Sequence, residues 1–177
     1  MAGTSKIECY FDGACFPNPN GHAAYGVLVK QDGRIIFTHA EYIGNENTSC
    51  NVAEYAGLIA VLTYLVENQI HNATIYGDSM LVIRQMSGKW RAGQLTKHER
   101  SGKTPIKPRY YLPYYERALA LRLKLDSLTF NWIPRHLNEE ADELSKQPLR
   151  EKGFVYEPVE TDLGYARMRF EQVTADI

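Results

Sequence analysis

Four acidic side chains stand in four separate local settings along the 177 residues. Asp12 closes Cys-Tyr-Phe, Glu54 lies in Asn-Val-Ala-Glu-Tyr, Asp78 follows Tyr-Gly, and Asp142 lies in Asn-Glu-Glu-Ala-Asp-Glu-Leu. Each sits where an apolar run ends or an apolar helix begins, the positions at which an α/β sheet presents side chains along its rim. Brought together, they would make an all-oxygen cage for hard divalent cations. Each also has a local explanation. Asp12-Gly13 has turn chemistry. Asn51 and Glu54 have the spacing of a capping box, with Asn51 as the N-cap. Asp78-Ser79 could cap a helix, and Asp142 could sit in a first helical turn, where the macrodipole favours anions.

The elements that must position these groups follow from periodicity and turn residues. Residues 6 to 12, 22 to 30 and 34 to 42 read as strands, with a Pro/Asn/Gly loop from Phe16 to Gly21 and a Gln-Asp-Gly hairpin turn at 31 to 33. A helix from about Val52 to Glu67 is apolar on nearly all sides and is expected to be buried. Ala73 to Gly77 reads as a strand, Ser79 to Gln85 and Leu112 to Leu125 as helices, Ser127 to Ile133 as a fifth strand, and Asn138 to Lys146 as a last helix. Strands interleaved with helices after an initial meander predict an α/β fold, a mixed sheet with helices on both faces. Asp12 then ends the first strand and Asp78 the fourth. If these strands are parallel neighbours, the two aspartates stand side by side at the carboxyl edge, and the helical carboxylates close the ring.

A hydrophobic content of 44% and this length fit one domain of ordinary size. The net charge of −1 gives the whole molecule no long-range attraction for a polyanion, so any nucleic-acid contact must come from local clustering. Three cysteines, Cys9, Cys15 and Cys50, have neither a zinc spacing nor the even number of a disulfide framework, which points to a reducing, cytoplasmic setting. No secretory signal is visible, and the apolar stretch from Ala56 to Val66 reads as too short and too interrupted for a bilayer span.

The blocks Tyr-Phe-Asp-Gly-Ala-Cys-Phe-Pro-Asn-Pro, Asn-Val-Ala-Glu-Tyr, Asp-Ser-Met-Leu-Val-Ile-Arg-Gln and Asn-Glu-Glu-Ala-Asp-Glu-Leu occur in that order over about residues 6 to 147. In them the chain resembles ribonuclease H of the type 1 class. The resemblance implies a five-stranded mixed sheet, an antiparallel meander followed by parallel strands, flanked by helices. It makes Asp12, Glu54, Asp78 and Asp142 the metal-binding and catalytic carboxylates, and the cofactor two Mg²⁺ ions, with Mn²⁺ able to substitute. Two such ions about 4 Å apart can bind one phosphate, activate water and stabilise the leaving oxygen. The implied reaction is endonucleolytic cleavage of the RNA strand of an RNA–DNA hybrid, leaving a 3′-hydroxyl and a 5′-phosphate.

By the same resemblance, Gly13, Cys15, Asn18, Asn51 and Gln85 are the short groups that would read the 2′-hydroxyl, which distinguishes RNA from DNA. The chain has Cys50-Asn51 where relatives commonly carry two asparagines, and Cys is a weak hydrogen-bonding group. Arg84 to Arg109 holds eight basic residues against one acid, a local balance of +7. That clustering predicts salt-sensitive phosphate contacts, for which Lys97, Arg100 and Lys103 are candidates, or else a solvated loop. Trp90 resembles an aromatic set against the DNA backbone. His136 resembles a mobile histidine that assists proton transfer, although its loop is shorter than in those relatives and Arg135 could substitute.

Residues 1–147 are thus read as the catalytic domain and 148–177 as a C-terminal extension too apolar for a disordered tail. The extension is expected to pack on the body, on a partner, or across a homodimer. No membrane partner is expected. Two readings compete with the hybrid nuclease: a non-catalytic hybrid-binding module of the same fold, and another nuclease of the superfamily acting on DNA junctions or as an exonuclease.

Overall fold

Three consecutive strands and a tight turn build the first half of the sheet. In the computed structural model, which describes residues 5–160 and 166–172, strands β1 (Ile7–Phe16), β2 (His22–Gln31) and β3 (Arg34–Gly44) form the antiparallel meander expected from the sequence. Asp32 and Gly33 carry the hairpin between β2 and β3 with φ of 50° and 80°, the left-handed backbone that a two-residue turn of this hand requires. β4 (Asn72–Gly77) then adds parallel to β1, and β5 (Ser127–Trp132) parallel to β4, giving the order β3-β2-β1-β4-β5.

The register at the centre decides where the acids stand. β1 pairs with β4 only from Glu8 to Tyr10, the last pair being Tyr10 with Tyr76. Asp12 and Asp78 each lie two residues beyond that pair, so the parallel register sets them side by side at the carboxyl edge. One expectation is corrected here. Asp12 does not end β1, which continues to Phe16 because the long strand β2 pairs with it throughout.

Helices cover both faces of the meander. α1 (Cys50–Glu67) lies on the face lined by Phe11, Tyr25, Val27 and Val29, where Tyr55, Leu58, Leu62 and Leu65 are fully buried. Each such side chain stabilises the packing by about 1.5–3 kcal/mol, so α1 is a rigid platform. It is long and apolar enough to cross a membrane by length and composition, and its burial against β1, β2 and a fourth helix accounts for that apolarity. That helix, α4 (Leu112–Arg122), packs on α1 with the rings of Tyr111 and Tyr55 stacked at 5.7 Å; it ends three residues sooner than read, and Leu123 is exposed. α2 (Met80–Met86) follows β4, and a short α3 (Lys97–Arg100) lies in the basic segment.

The last helix, α5 (Glu139–Glu151), crosses the opposite face of β1, β2 and β3. It runs past the Lys146 end read from the sequence, so the boundary placed at 147 falls inside it. Leu149 of α5 and Phe154 beyond it pack on Ala24. Phe154 opens β6 (Phe154–Glu160), which pairs antiparallel with β7 (Ala166–Gln172) in a separate two-stranded sheet. Leu163, Tyr165 and Val173 of the extension lie outside the described residues.

Gly26 is what lets α5 sit so close to the sheet. A Cβ at that position would meet the Ser145 backbone nitrogen at 2.3 Å. Gly26→Ala is expected to destabilise the protein by about 1–3 kcal/mol or more, as overpacking against backbone does. A thermal melt unchanged by the substitution would show that α5 is not seated on β2.

Candidate metal centre

Three of the four acids meet. Ligand oxygens of Asp12, Glu54 and Asp78 all lie within 4.8 Å of one another, just beyond the point where the pairing of β1 with β4 ends. Glu54 is available because α1 is capped otherwise than its sequence suggested. Ser49, not Asn51, is the N-cap, its side chain accepting from the Val52 N–H, so Asn51 lies within the helix and Glu54 makes no capping-box bond. Likewise Ser79 caps α2 and leaves the Asp78 carboxylate to the site. Gly13 permits the close approach of α1 to β1, since a Cβ there would meet the Glu54 nitrogen at 2.3 Å.

Each strand carboxylate is aimed by a buried partner from the chain near Asp142. Ser145 Oγ donates to Asp12 Oδ2 at 2.9 Å. Asn138, 1% exposed, donates from Nδ2 to Asp78 Oδ1 at 3.0 Å and to the Phe11 carbonyl at 2.9 Å, tying the aspartate of one strand to the backbone of the other. Trp132 Nε1 donates to the Asp78 carbonyl at 3.0 Å. Asn138 and Ser145 were missed in reading the sequence. The signal was their position in the Asp142 block: Asn138 opens it, and Ser145 lies one helical turn after Asp142, on the same face.

Asp142 stands beside the cluster rather than in it. Its Oδ1 accepts from Arg135 Nη2 at 2.6 Å, and its Oδ2 from Lys146 Nζ. Burial alone would raise its pKa, but the hydrogen bonds of Lys146 and Arg135 carry it below the usual carboxylate range. The clustered acids behave in the opposite way. Burial first, and then the charges of Asp78 and Asp142, push Asp12 up to about 7, against the Ser145 hydrogen bond and Arg135. Burial, then Asp12 and Asp78, drive Glu54 well above its ordinary value. Glu54 Oε2 is buried without a hydrogen-bond partner. Oxygen-only ligands, mutual repulsion and an orphaned buried carboxylate oxygen are what a hard divalent cation would satisfy, so these residues fit such an ion.

The other predicted residues fall into three groups. Cys15, Asn18 and Cys50 buttress the site: Asn18 Oδ1 accepts from the Cys50 N–H at 3.0 Å, and the Cys50 thiol, pushed up to about 11 chiefly by burial, faces the Cys15 carbonyl at 3.8 Å. Gln85 belongs to the packing of α2. It lies buried, accepting from Tyr55 Oη at 2.6 Å and donating to Tyr111 Oη at 3.2 Å, because the inward face of α2 includes positions 82, 83, 85 and 86. It holds α2 to α1 and to the start of α4. His136 is exposed on a short 3₁₀ turn, Arg135–Leu137, lining a cleft with Arg135, Glu139 and Asp142, and does not join the carboxylate cluster.

The basic segment has its own internal anchor. Thr96 and Glu99 form a capping box at α3, and the buried Glu99 also accepts from the Lys107 N–H and from both terminal nitrogens of Arg109. The Arg109 bonds, then the backbone N–H groups of Lys107 and Thr96, hold its carboxyl far below the usual range. The one acid of the segment thus folds it, leaving Lys97, Arg100 and Lys103 exposed. Trp90 is partly exposed, with the Arg84 guanidinium over its ring at 5.1 Å.

This fold recurs in known proteins. Residues 10–147 match the family model described as reverse transcriptase-like. Ribonuclease H of Lachnoclostridium phytofermentans is 30% identical over 147 residues, covering 79% of this chain and 89% of that protein. Ribonuclease HI of Halobacterium salinarum is 31% identical over 144 residues, 81% of this chain. The chain spans 64% of that relative's length, and 35% of each of the mycobacterial relatives it matches. LC11-RNase H1, solved in complex with an RNA/DNA hybrid, superposes with a TM-score of 0.67 at 27% identity, covering 82% of this chain and 98% of that one. The chain belongs to the ribonuclease H family, type 1 class.

The raised acids make stability depend on pH in a defined direction. A carboxyl whose folded pKa lies above its unfolded value binds more protons when folded, so stability is lost as pH rises from about 4 to about 7. Asp12→Asn is therefore expected to stabilise the metal-free protein at pH 8 by roughly 1–3 kcal/mol, with the gain vanishing toward pH 4. Urea unfolding at both pH values checks this; a destabilised variant at pH 8 would mean that Asp12 is not under repulsion.

Proposed function

We propose that this protein is a divalent-cation-dependent endonuclease that hydrolyses the RNA strand of RNA–DNA hybrids, leaving 3′-hydroxyl and 5′-phosphate ends. The convergence of Asp12, Glu54 and Asp78 within 4.8 Å at the carboxyl edge of a ribonuclease H sheet carries the proposal. A relative of this fold solved with an RNA/DNA hybrid supports the choice of substrate. Two Mg²⁺ ions held by Asp12, Glu54, Asp78 and Asp142, with Mn²⁺ able to replace them, would supply the activation of water and the stabilisation of the leaving oxygen.

The chain's own groups then have distinct tasks. Ser145 and Asn138 fix the two strand carboxylates so that no side-chain search is needed when the phosphate arrives. Arg135, at the mouth of the site, places positive charge where a scissile phosphate would lie. Lys97, Arg100 and Lys103 project from the folded protrusion and would take the phosphates of the hybrid farther along. With Gln85 turned inward, reading of the 2′-hydroxyl falls to the Gly13 backbone, Asn18 and Asn51, with Cys50 supplying little.

Labelled hybrid, duplex RNA and duplex DNA, each with Mg²⁺, Mn²⁺ or chelator, test the reaction. Only the hybrid is expected to be cut, in its RNA strand and only with metal. Asp78→Asn is expected to lose at least about 10³-fold in rate while retaining its fold and most hybrid binding; near-normal turnover would remove Asp78 from the reaction. Charge reversal at Lys97, Arg100 and Lys103 together is expected to weaken hybrid affinity at low salt and flatten its salt dependence. An unaltered affinity in binding titrations would return the protrusion to a solvated loop.

A further inference from the structure

The four acids are treated unequally, and the inequality is built into α5 and the turn before it. Asp12, Glu54 and Asp78 share one small space, whereas Asp142 holds two cations. Lys146 lies one turn along α5 with a side chain 9% exposed, and reaches Asp142 Oδ2. Arg135 reaches Asp142 Oδ1 from the outside, its side chain 65% exposed. Both are held in place by backbone that is itself anchored. The Asn138 N–H donates to the Arg135 carbonyl at 2.9 Å, and Asn138 is bonded into the sheet at Phe11. Ser145, the neighbour of Lys146, bridges the Asp142 carbonyl and Asp12 Oδ2.

From this geometry we infer that Arg135 and Lys146 act as a cationic clamp that keeps Asp142 out of the carboxylate cluster, so that a divalent cation must win Asp142 from two resident charges before the site is complete. The inference rests on the metal-binding reading of the site. A nearly buried lysine must be paired, and its partner is the one acid outside the cluster. The clamp therefore offsets repulsion in the metal-free protein and opposes metal binding by the same contacts. Arg135 also acts on the cluster directly, since its charge favours the ionised forms of Asp12 and Glu54. Arg135 and Lys146 are positioning residues, setting the cation concentration at which the site fills.

Calorimetric titration of the full chain with Mg²⁺, without nucleic acid, tests this, beside thermal melts with and without the ion. Arg135→Gln, at a side chain 65% exposed, and Lys146→Met are each expected to tighten Mg²⁺ binding about threefold to tenfold. Each should also lower the metal-free melting temperature, with the loss recovered in saturating Mg²⁺. Arg150→Gln, which removes the exposed pair with Glu143 on the same helix, should leave the affinity unchanged. Clamp variants that bind Mg²⁺ no more tightly than the parent overturn the clamp while leaving the metal site standing. A parent protein that binds no divalent ion overturns both.

Discussion

Crowding carboxylates into a partly buried pocket is unfavourable, and the surrounding structure is arranged to hold them there. Like charges a few ångströms apart in a region of reduced dielectric repel strongly, and desolvation adds to the cost. The response is visible in Asp12 and Glu54, both driven toward the protonated form. What keeps them in place is apolar packing: α1 buries Tyr55, Leu58, Leu62 and Leu65 on one face of the sheet, and α5 seats on Gly26 on the other. The stability of the core is what allows a strained polar rim.

Glycine sets how close the layers can come. At Gly13 the first turns of α1 press on β1, which brings Glu54 to Asp12; at Gly26 the backbone of α5 presses on β2, which brings Ser145 to the same aspartate from the other side. Asp12 is thus the point where both helical layers touch the sheet. Asn138 does comparable work between strands, since one amide group bonds both the Phe11 carbonyl and Asp78. It spends its side chain there and makes no cap bond to α5, although it occupies the cap position.

The same logic of one acid organising many donors appears in the basic protrusion, with a different outcome. Glu99 is satisfied by backbone N–H groups and Arg109, so its charge is fully used in folding the loop. The clustered acids have fewer partners than they can accept, Glu54 Oε2 having none. That contrast distinguishes Glu99 from Glu54 where burial does not, because both are buried.

Much of this was legible in the residues alone. Period-2 alternation, the Asp32-Gly33 turn and the apolar length of α1 are local signals, and local signals survive in the sequence because backbone sterics and hydrophobic burial act on neighbours. The four acids and their motif settings were equally plain, and with the strand order they located the pocket. Other features depended on contacts across the fold. Ser49 rather than Asn51 caps α1, β1 runs past Asp12 because β2 is there to pair with it, and Gln85 turns inward because Tyr55 and Tyr111 meet it. Residue types and spacing determined which groups could do chemistry; only the folded chain decided that three carboxylates converge while the fourth is held by Arg135 and Lys146, since the partner of a charge is chosen by distance in space and not along the chain.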